Sequence, residues 1–267
     1  MTQAEHRASQ PSFVIVVGGD AAGQVDLDAF VGGPAVVVAA DSGLHPCRAA
    51  GLAVDHLVGD LDSVDPGAVS EAEEAATVVH RHLADKDATD LELAVDLVVS
   101  LADELRLADP SVLVVGGGGG RLDHLVGDLL LLSGHALAGL DITAEFGAAS
   151  AAVARPGRDV HVHGRPGDHV SLLPVGGPAR GVATSGLRWP LVDADLDVGT
   201  TRAMSNELMG DTATVAVADG TLLVIQPGTA GPSIADRPTP YDPSPRLPVA
   251  DGDDTEAPPS NRTRRPS

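Results

Sequence analysis

Between Phe13 and about Glu145 the chain repeats one unit: a short apolar run, a break rich in Gly and Asp, then a stretch with helical spacing. The runs are Phe13–Val17, Ala35–Ala40, His56–Val58, Thr77–His80, Val112–Val115 and Ile142–Glu145. Most of these runs are apolar without polar alternation, so strands made from them must be covered on both faces. Helices between such strands give a parallel sheet. The helices have recognisable starts. His45-Pro46 opens a short one to Ala50, with proline at a favourable early position, and Asp65-Pro66 caps another to about Ala76. Thr89-Asp90-Leu91-Glu92 fits a capping box, hydroxyl first and carboxylate three residues on, and opens a helix to about Ala102. A fourth follows the five glycines Gly116–Gly120 and runs through Leu132.

After about Ser150 the pattern changes. Asp159–His163, His169–Leu173, Gly181–Ser185, Thr214–Ala218 and Leu222–Ile225 are short strands separated by Gly and Pro, and Asp219-Gly220 between the last two is a hairpin signal. This predicts an all-β second unit, a small sandwich or barrel. From Gly228 onward the chain holds nine of its twenty prolines, too little apolar surface to offset the cost of ordering. The expected division is a flexible start over 1–12, an α/β nucleotide-binding domain over 13–150, a β-sandwich-like domain over 151–227 and a disordered tail over 228–267.

Charge narrows the partners. With 17 Lys plus Arg against 38 Asp plus Glu the net charge is −21, which argues against sequence-independent binding of nucleic acid through its phosphates and against anionic membranes as partners. Lys86 is the single lysine. The lone Cys47 excludes an internal disulfide and a multi-cysteine zinc site, and with no identified His base it reads as a buried thiol. No signal segment and no membrane-length apolar run are visible, so a soluble cytoplasmic protein is expected.

In an open parallel sheet, ligands bind beyond the carboxyl ends of the strands. The residues there are Asp41, then Gly59-Asp60-Leu61-Asp62, then Asp85-Lys86-Asp87 with Thr89-Asp90, then Gly120-Arg121-Leu122-Asp123. Carboxylates about 4 Å apart repel by about 4 kcal/mol per pair at an effective dielectric of 20, so a cation must hold them. All-oxygen donors suit Mg²⁺ shared with substrate phosphates rather than zinc or copper. If the Asp60–Asp62 segment is extended, its two carboxylates share a side. The glycine run follows a strand and precedes a helix, where backbone N–H groups can approach phosphate, and Arg121 supplies a planar charged fork. Together these point to phosphoryl-type transfer from a nucleotide. The pairs His161/His163 and His80/His82 lack a third ligand and read as surface residues.

These residues resemble a known family. ADSG (Ala40–Gly43), VGDLDS (Val58–Ser63), DKDATDLELA (Asp85–Ala94), GGRLDH (Gly119–His124), SLLP (Ser171–Pro174), GLRWPL (Gly186–Leu191) and SNE (Ser205–Glu207) are similar, in order and spacing, to the motifs of thiamine pyrophosphokinases. The resemblance implies transfer of the terminal diphosphate of ATP to the hydroxyethyl group of thiamine, giving thiamine diphosphate and AMP. It implies Mg²⁺, an α/β nucleotide domain followed by a β-sandwich-like domain, and a homodimer with active sites between subunits. By position it makes Asp60, Asp62 and Asp90 the metal-binding acids. Asp41, Lys86, Thr89, Arg121 and Asp123 line the nucleotide and transfer site, and Trp189, Ser205 and Asn206 lie near thiamine. Either Asp62 or Asp90 could take the proton of the attacking hydroxyl. The chain departs from the family pattern at Ser42, usually Gly, and at Asp128, often Asn. Transfer to a pterin-like hydroxymethyl heterocycle, and a non-catalytic nucleotide-binding relative, are the alternatives.

Overall fold

A computed structural model describes residues 13–19, 27, 35–83, 87–117 and 121–228. The expected flexible start, the tail beyond Gly228, Lys86 and the last three of the five glycines lie outside the described residues.

The first half is built on six strands: β1 (Phe13–Val17), β2 (Val36–Ala40), β3 (His56–Gly59), β4 (Val78–Arg81), β5 (Ser111–Val115) and β6 (Asp141–Phe146). They are parallel and lie in the order β4-β3-β2-β1-β5-β6. The chain therefore works outward from β1 to β4, then returns to the other side of β1 with β5. That reversal makes a crevice between β1 and β5, the switch point at which open α/β sheets take ligands.

Helices cover both faces: α1 (Leu44–Ala49), α2 (Pro66–Glu74), α3 (Asp90–Glu104) and α4 (Leu122–Leu132). Successive strand residues point to opposite faces. Val14, Val16, Val37, Ala39 and Leu57 pack with Leu44, Cys47, Ala68 and Val69 from α1 and α2. Phe13, Ile15, Val38 and Val58 pack with Leu91, Val95, Val98 and Leu132 from α3 and α4. The helix starts follow their sequence signals. Asp65 accepts a hydrogen bond from the Ala68 amide at 3.0 Å with Pro66 in the first turn, and Thr89 Oγ1 accepts from the Glu92 amide at 3.2 Å.

The second half adds β7 (Ala149–Ala154), β8 (Val160–His163), β9 (His169–Pro174), β10 (Ala179–Ser185), β11 (Ala194–Leu196), β12 (Asn206–Glu207), β13 (Thr212–Ala216) and β14 (Leu222–Gln226). It does not form a separate sheet system. β7 turns back at Gly147 and pairs antiparallel with β6, then β14, β9 and β12 follow, making one ten-stranded sheet across the 150/151 division. A four-stranded sheet, β11-β10-β13-β8, packs on its far part. Leu172, Leu222 and Val224 face that sandwich core with Val162, Val182 and Val215. Their neighbours Val153 and Leu223 face the helices instead.

Two arginines in the β7–β8 turn tie the halves together. Arg155 donates to the carbonyl of Gly134, just past α4, at 2.8 Å and to Thr221 Oγ1 at 3.1 Å. Arg158 donates to the Ala138 and Leu140 carbonyls and pairs with Asp109.

Two expectations change here. Asp219-Gly220 is not a hairpin turn: β13 pairs with β8 and β10 while β14 pairs with β7 and β9, so this turn crosses between the two sheets. At this crossing Gly220 (φ +89) lies tight against the neighbouring chain, where a Cβ would be 2.5 Å from the Pro178 carbonyl oxygen. His80 is not a surface residue; it is half-buried, with Nε2 3.0 Å from His56 Nδ1. Its pKa is lowered by burial and then by the neighbouring His56 and His82. The helical segments among the described residues include none long and apolar enough to cross a membrane. The remaining small expectations hold: His161 and His163 lie on the exposed face of β8, and Cys47 is buried, its thiol pushed up to about 12 by desolvation.

A continuous sheet should unfold as one unit. Leu223→Ala removes a side chain buried between sheet and helices and should cost about 2–5 kcal/mol. In urea its transition should move equally whether followed by Trp189 fluorescence, in the sandwich, or by far-UV helical signal, from the first half. Separate midpoints would contradict a continuous sheet.

Candidate active site

The carboxyl ends of β2 and β3 are where the acids gather. β2 runs directly into a 3₁₀ turn, Asp41–Gly43, and Asp41 adopts a left-handed backbone (φ +46). Gly43 lets this turn press against β1, since a Cβ there would sit 1.9 Å from the Val16 carbonyl oxygen. Beyond β3, Leu61 is also left-handed (φ +62), an arrangement costing a non-glycine residue about 1–3 kcal/mol unless its surroundings hold it. Leu61 and Val64 are buried against α1 and α2, so the hydrophobic core holds the turn.

That turn replaces the extended segment expected between Asp60 and Asp62. The Asp62 amide donates to Asp60 Oδ1 at 3.2 Å, and Ser63 Oγ donates to Asp62 Oδ1 at 2.9 Å. The two carboxylates meet because the chain folds back locally. They do not meet through strand periodicity.

Asp41, Asp60 and Asp62 each present a carboxylate oxygen, and these oxygens lie within 4.8 Å of one another. Asp90, at the first position of α3, stands close by: a Cβ placed on Gly59 (φ +149) would be 3.1 Å from Asp41 Cβ and 3.2 Å from Asp90 Oδ1. Glycine at 59 lets both acids stand close without crowding, in a backbone conformation that side chains rarely adopt. Asp41 is buried, and its Oδ1 has no hydrogen-bond partner. Its pKa is raised, chiefly by burial and then by the charges of Asp90 and Asp60, against the Ser42 amide and the Ser63 hydroxyl, which pull it down. A buried acid with one oxygen lacking a donor, grouped with two further carboxylates, is a donor set for a hard divalent cation. These residues fit Mg²⁺ on that ground.

The other residues singled out in the sequence fall into two places. At the β1/β5 crevice, Gly18, Gly19, Gly116 and Gly117 form a floor without side chains, and the Gly117 amide donates to the Gly18 carbonyl at 3.0 Å. Arg121 caps the start of α4 and pairs with Asp123, Nη2 to Oδ2 2.5 Å and Nε to Oδ1 3.2 Å. The guanidinium holds the exposed Asp123 carboxyl down to about 2. Thr89 serves as the cap of α3, one residue before Asp90. In the sandwich, Asn206 holds Trp189 by its backbone: Trp189 N donates to Asn206 Oδ1 at 3.1 Å and Asn206 Nδ2 donates to the Trp189 carbonyl at 2.8 Å. Ser205 N donates to Ser171 Oγ at 3.0 Å. The Trp189 side chain is 53% exposed with the Arg188 guanidinium 5.0 Å from its ring centroid, so it is not a core residue.

The family model described as "Thiamin pyrophosphokinase, catalytic domain" matches residues 29–143, and that described as "Thiamin pyrophosphokinase, vitamin B1 binding domain" matches residues 159–222. The thiamine pyrophosphokinase of Bacillus subtilis (strain 168) is 26% identical over 212 residues, 79% of this chain and 96% of that protein. Among solved structures, thiamin pyrophosphokinase from Geobacillus thermodenitrificans is similar with a TM-score of 0.64 at 28% identity, covering 82% of this chain and 98% of that one. Thiamine pyrophosphokinase from Bacillus subtilis gives a TM-score of 0.69 at 24% identity, covering 82% and 99%.

Three close carboxylates repel one another when no cation is present, and Asn tolerates the left-handed backbone at position 41. Asp41→Asn should therefore raise the thermal midpoint of protein stripped of divalent ions while abolishing the stabilisation that added Mg²⁺ gives the wild type. Calorimetry with and without chelator checks both; a lowered metal-free midpoint with Mg²⁺ stabilisation intact would contradict the cluster's role.

Proposed function

The chain belongs to the thiamine pyrophosphokinase family, and from this we infer that it is an enzyme that transfers the terminal diphosphate of ATP to the hydroxyethyl group of thiamine. The observation that carries this reading is the grouping of buried Asp41, one of whose oxygens lacks a donor, with Asp60 and Asp62 at the strand ends. Asp41, Asp60 and Asp62 would hold Mg²⁺, with Asp90 beside them. When bound, the ion neutralises charge on the transferring phosphates.

The chain's own groups supply the rest. The glycine floor at the β1/β5 crevice admits the polyphosphate closely, and Arg121, already planar and charged, offsets its negative charge. The thiamine hydroxyl oxygen attacks the β-phosphorus of ATP, the bond from that phosphorus to the α,β-bridging oxygen breaks, and AMP departs. The hydroxyl proton passes to a nearby carboxylate, Asp62 or Asp90. Trp189 offers an aromatic face to the thiazolium cation, with Asn206 and Ser205 fixing the loop that presents it. Thr89 stands on the nucleotide side, and the family motif that contains Lys86 adds its cation to that role. A homodimer fits the exposed apolar row Leu122, Val126 and Leu130 on α4, at 74%, 46% and 54% exposure, spaced to form one stripe.

Purified protein with ATP, Mg²⁺ and thiamine should release AMP and form thiamine diphosphate, and a hydroxymethyl pterin should not replace thiamine. AMP release with the pterin alone would overturn the acceptor. Asp62→Asn should lower turnover at least about a hundredfold, as expected when a group holding several kcal/mol of charge stabilisation is lost, with circular dichroism unchanged. Wild-type turnover in that variant would contradict the site. Removing residues 229–267 should leave turnover unchanged, and a large loss would give those residues a role.

A further inference from the structure

Asp128 is a buried acid that the chemistry above does not use. It lies in α4, is 8% exposed, and among the described residues no hydrogen bond or ion pair holds its carboxylate. Burial raises its pKa, with only His124, one turn earlier, opposing. Its oxygens are not sealed from solvent as Asp41 Oδ1 is, so a ligand donor could take the place of water as their partner. Its surroundings show where that partner would come from. Asp128 Oδ2 would be 3.3 Å from a Cβ on Gly117 (φ +71), and the Phe146 ring, at the end of β6, would be 3.6 Å from the same point. Gly117 in turn is bonded to Gly18, and Gly18 lies against Ser42, since a Cβ there would be 2.0 Å from Ser42 Oγ. Ser42 adjoins Asp41. The acid cluster at the end of β2 is thus linked to Asp128 across a strip of glycines at the ends of β1 and β5. Adjacent strands are about 4.8 Å apart, so β2 and β5 are separated by roughly 10 Å.

We propose that Asp128 binds the ribose hydroxyls of the nucleotide and so selects ribonucleotide over deoxyribonucleotide. The assignment rests on the reading that ATP is the co-substrate, with its β- and γ-phosphates at Asp41, Asp60 and Asp62. The glycine strip then carries the rest of the nucleotide across the switch point towards Asp128. Of the groups on a nucleotide, phosphate is repelled by a carboxylate. A vicinal diol offers two donors to a group that has none, which is how an acid at such a crevice recognises ribose. Phe146 supplies an apolar wall beside it.

The test uses the full-length protein with Mg²⁺ and no thiamine, so that nothing turns over, and reads affinity by titration calorimetry for ATP, 2′-deoxy-ATP, 3′-deoxy-ATP and ITP. Wild type should bind ATP about tenfold more tightly than the deoxynucleotides, the value of one hydrogen bond to a charged group. Asp128→Ala and Asp128→Ser should bind ATP and both deoxynucleotides equally, and Asp128→Asn, which keeps an acceptor oxygen, should fall between. Equal wild-type affinity for ATP and both deoxynucleotides overturns the proposal without need of any variant. So does an unchanged ratio in folded Asp128→Ala. Loss of the ATP-over-ITP preference with the deoxy ratio intact also overturns it, by assigning Asp128 to the base. Failure of wild type to bind ATP at all overturns the co-substrate reading and this assignment with it.

Discussion

Carboxylates brought within 4.8 Å of one another repel, and the local fold around β2 and β3 is arranged to hold them there. Each approach has its own cause: a left-handed Asp41 after β2, a left-handed Leu61 pinned by its burial, a hydrogen bond from the Asp62 amide to Asp60, and the bare Gly59 that lets Asp90 come near. At an effective dielectric of 20 each pair at about 4 Å costs about 4 kcal/mol. That is comparable to the whole net stability of many domains, and the divalent cation proposed for this site would offset it.

Topology delivers the rest of the site. Because the chain fills one side of β1 before starting the other, the ends of β1 and β5 open into a crevice lined by glycines. The acids of β2 and β3 lie on one side of it and α4, with Arg121 and Asp128, on the other. The same sheet then runs without interruption into the sandwich that carries Trp189, Ser205 and Asn206. Arg155 and Arg158 fasten the joint through carbonyls just beyond α4. The relative placement of nucleotide and sandwich residues is therefore a property of one sheet and not of a linker.

Much of this was legible in the sequence, for physical reasons. Strands buried on both faces have to be uniformly apolar, so β1, β2, β3 and β5 announce themselves, and Asp65-Pro66 and Thr89 mark helix starts through the hydrogen bonds they go on to make. Other features were hidden. β7 is four Ala in six residues, a composition with weak strand preference, and its pairing with β6 and β14 makes it a strand. Asp219-Gly220 has the residues of a hairpin but joins two sheets, because pairing partners are chosen by the core and not by the turn. His80 pairs with His56 because β3 and β4 are neighbours, which chain order alone does not dictate. Asp60 and Asp62 were found from their spacing, although a folded-back turn unites them where an extended segment was expected. That Asp41 joins them depends on β2 lying beside β3 and on its own unusual backbone, neither of which the D-x-D pattern contains.

The most direct measurement is anomalous diffraction at the manganese edge from crystals grown with Mn²⁺ and ATP. The account predicts a peak bounded by Asp41, Asp60 and Asp62 at the ends of β2 and β3. Manganese held only elsewhere on the chain, with these three carboxylates facing water, would contradict it.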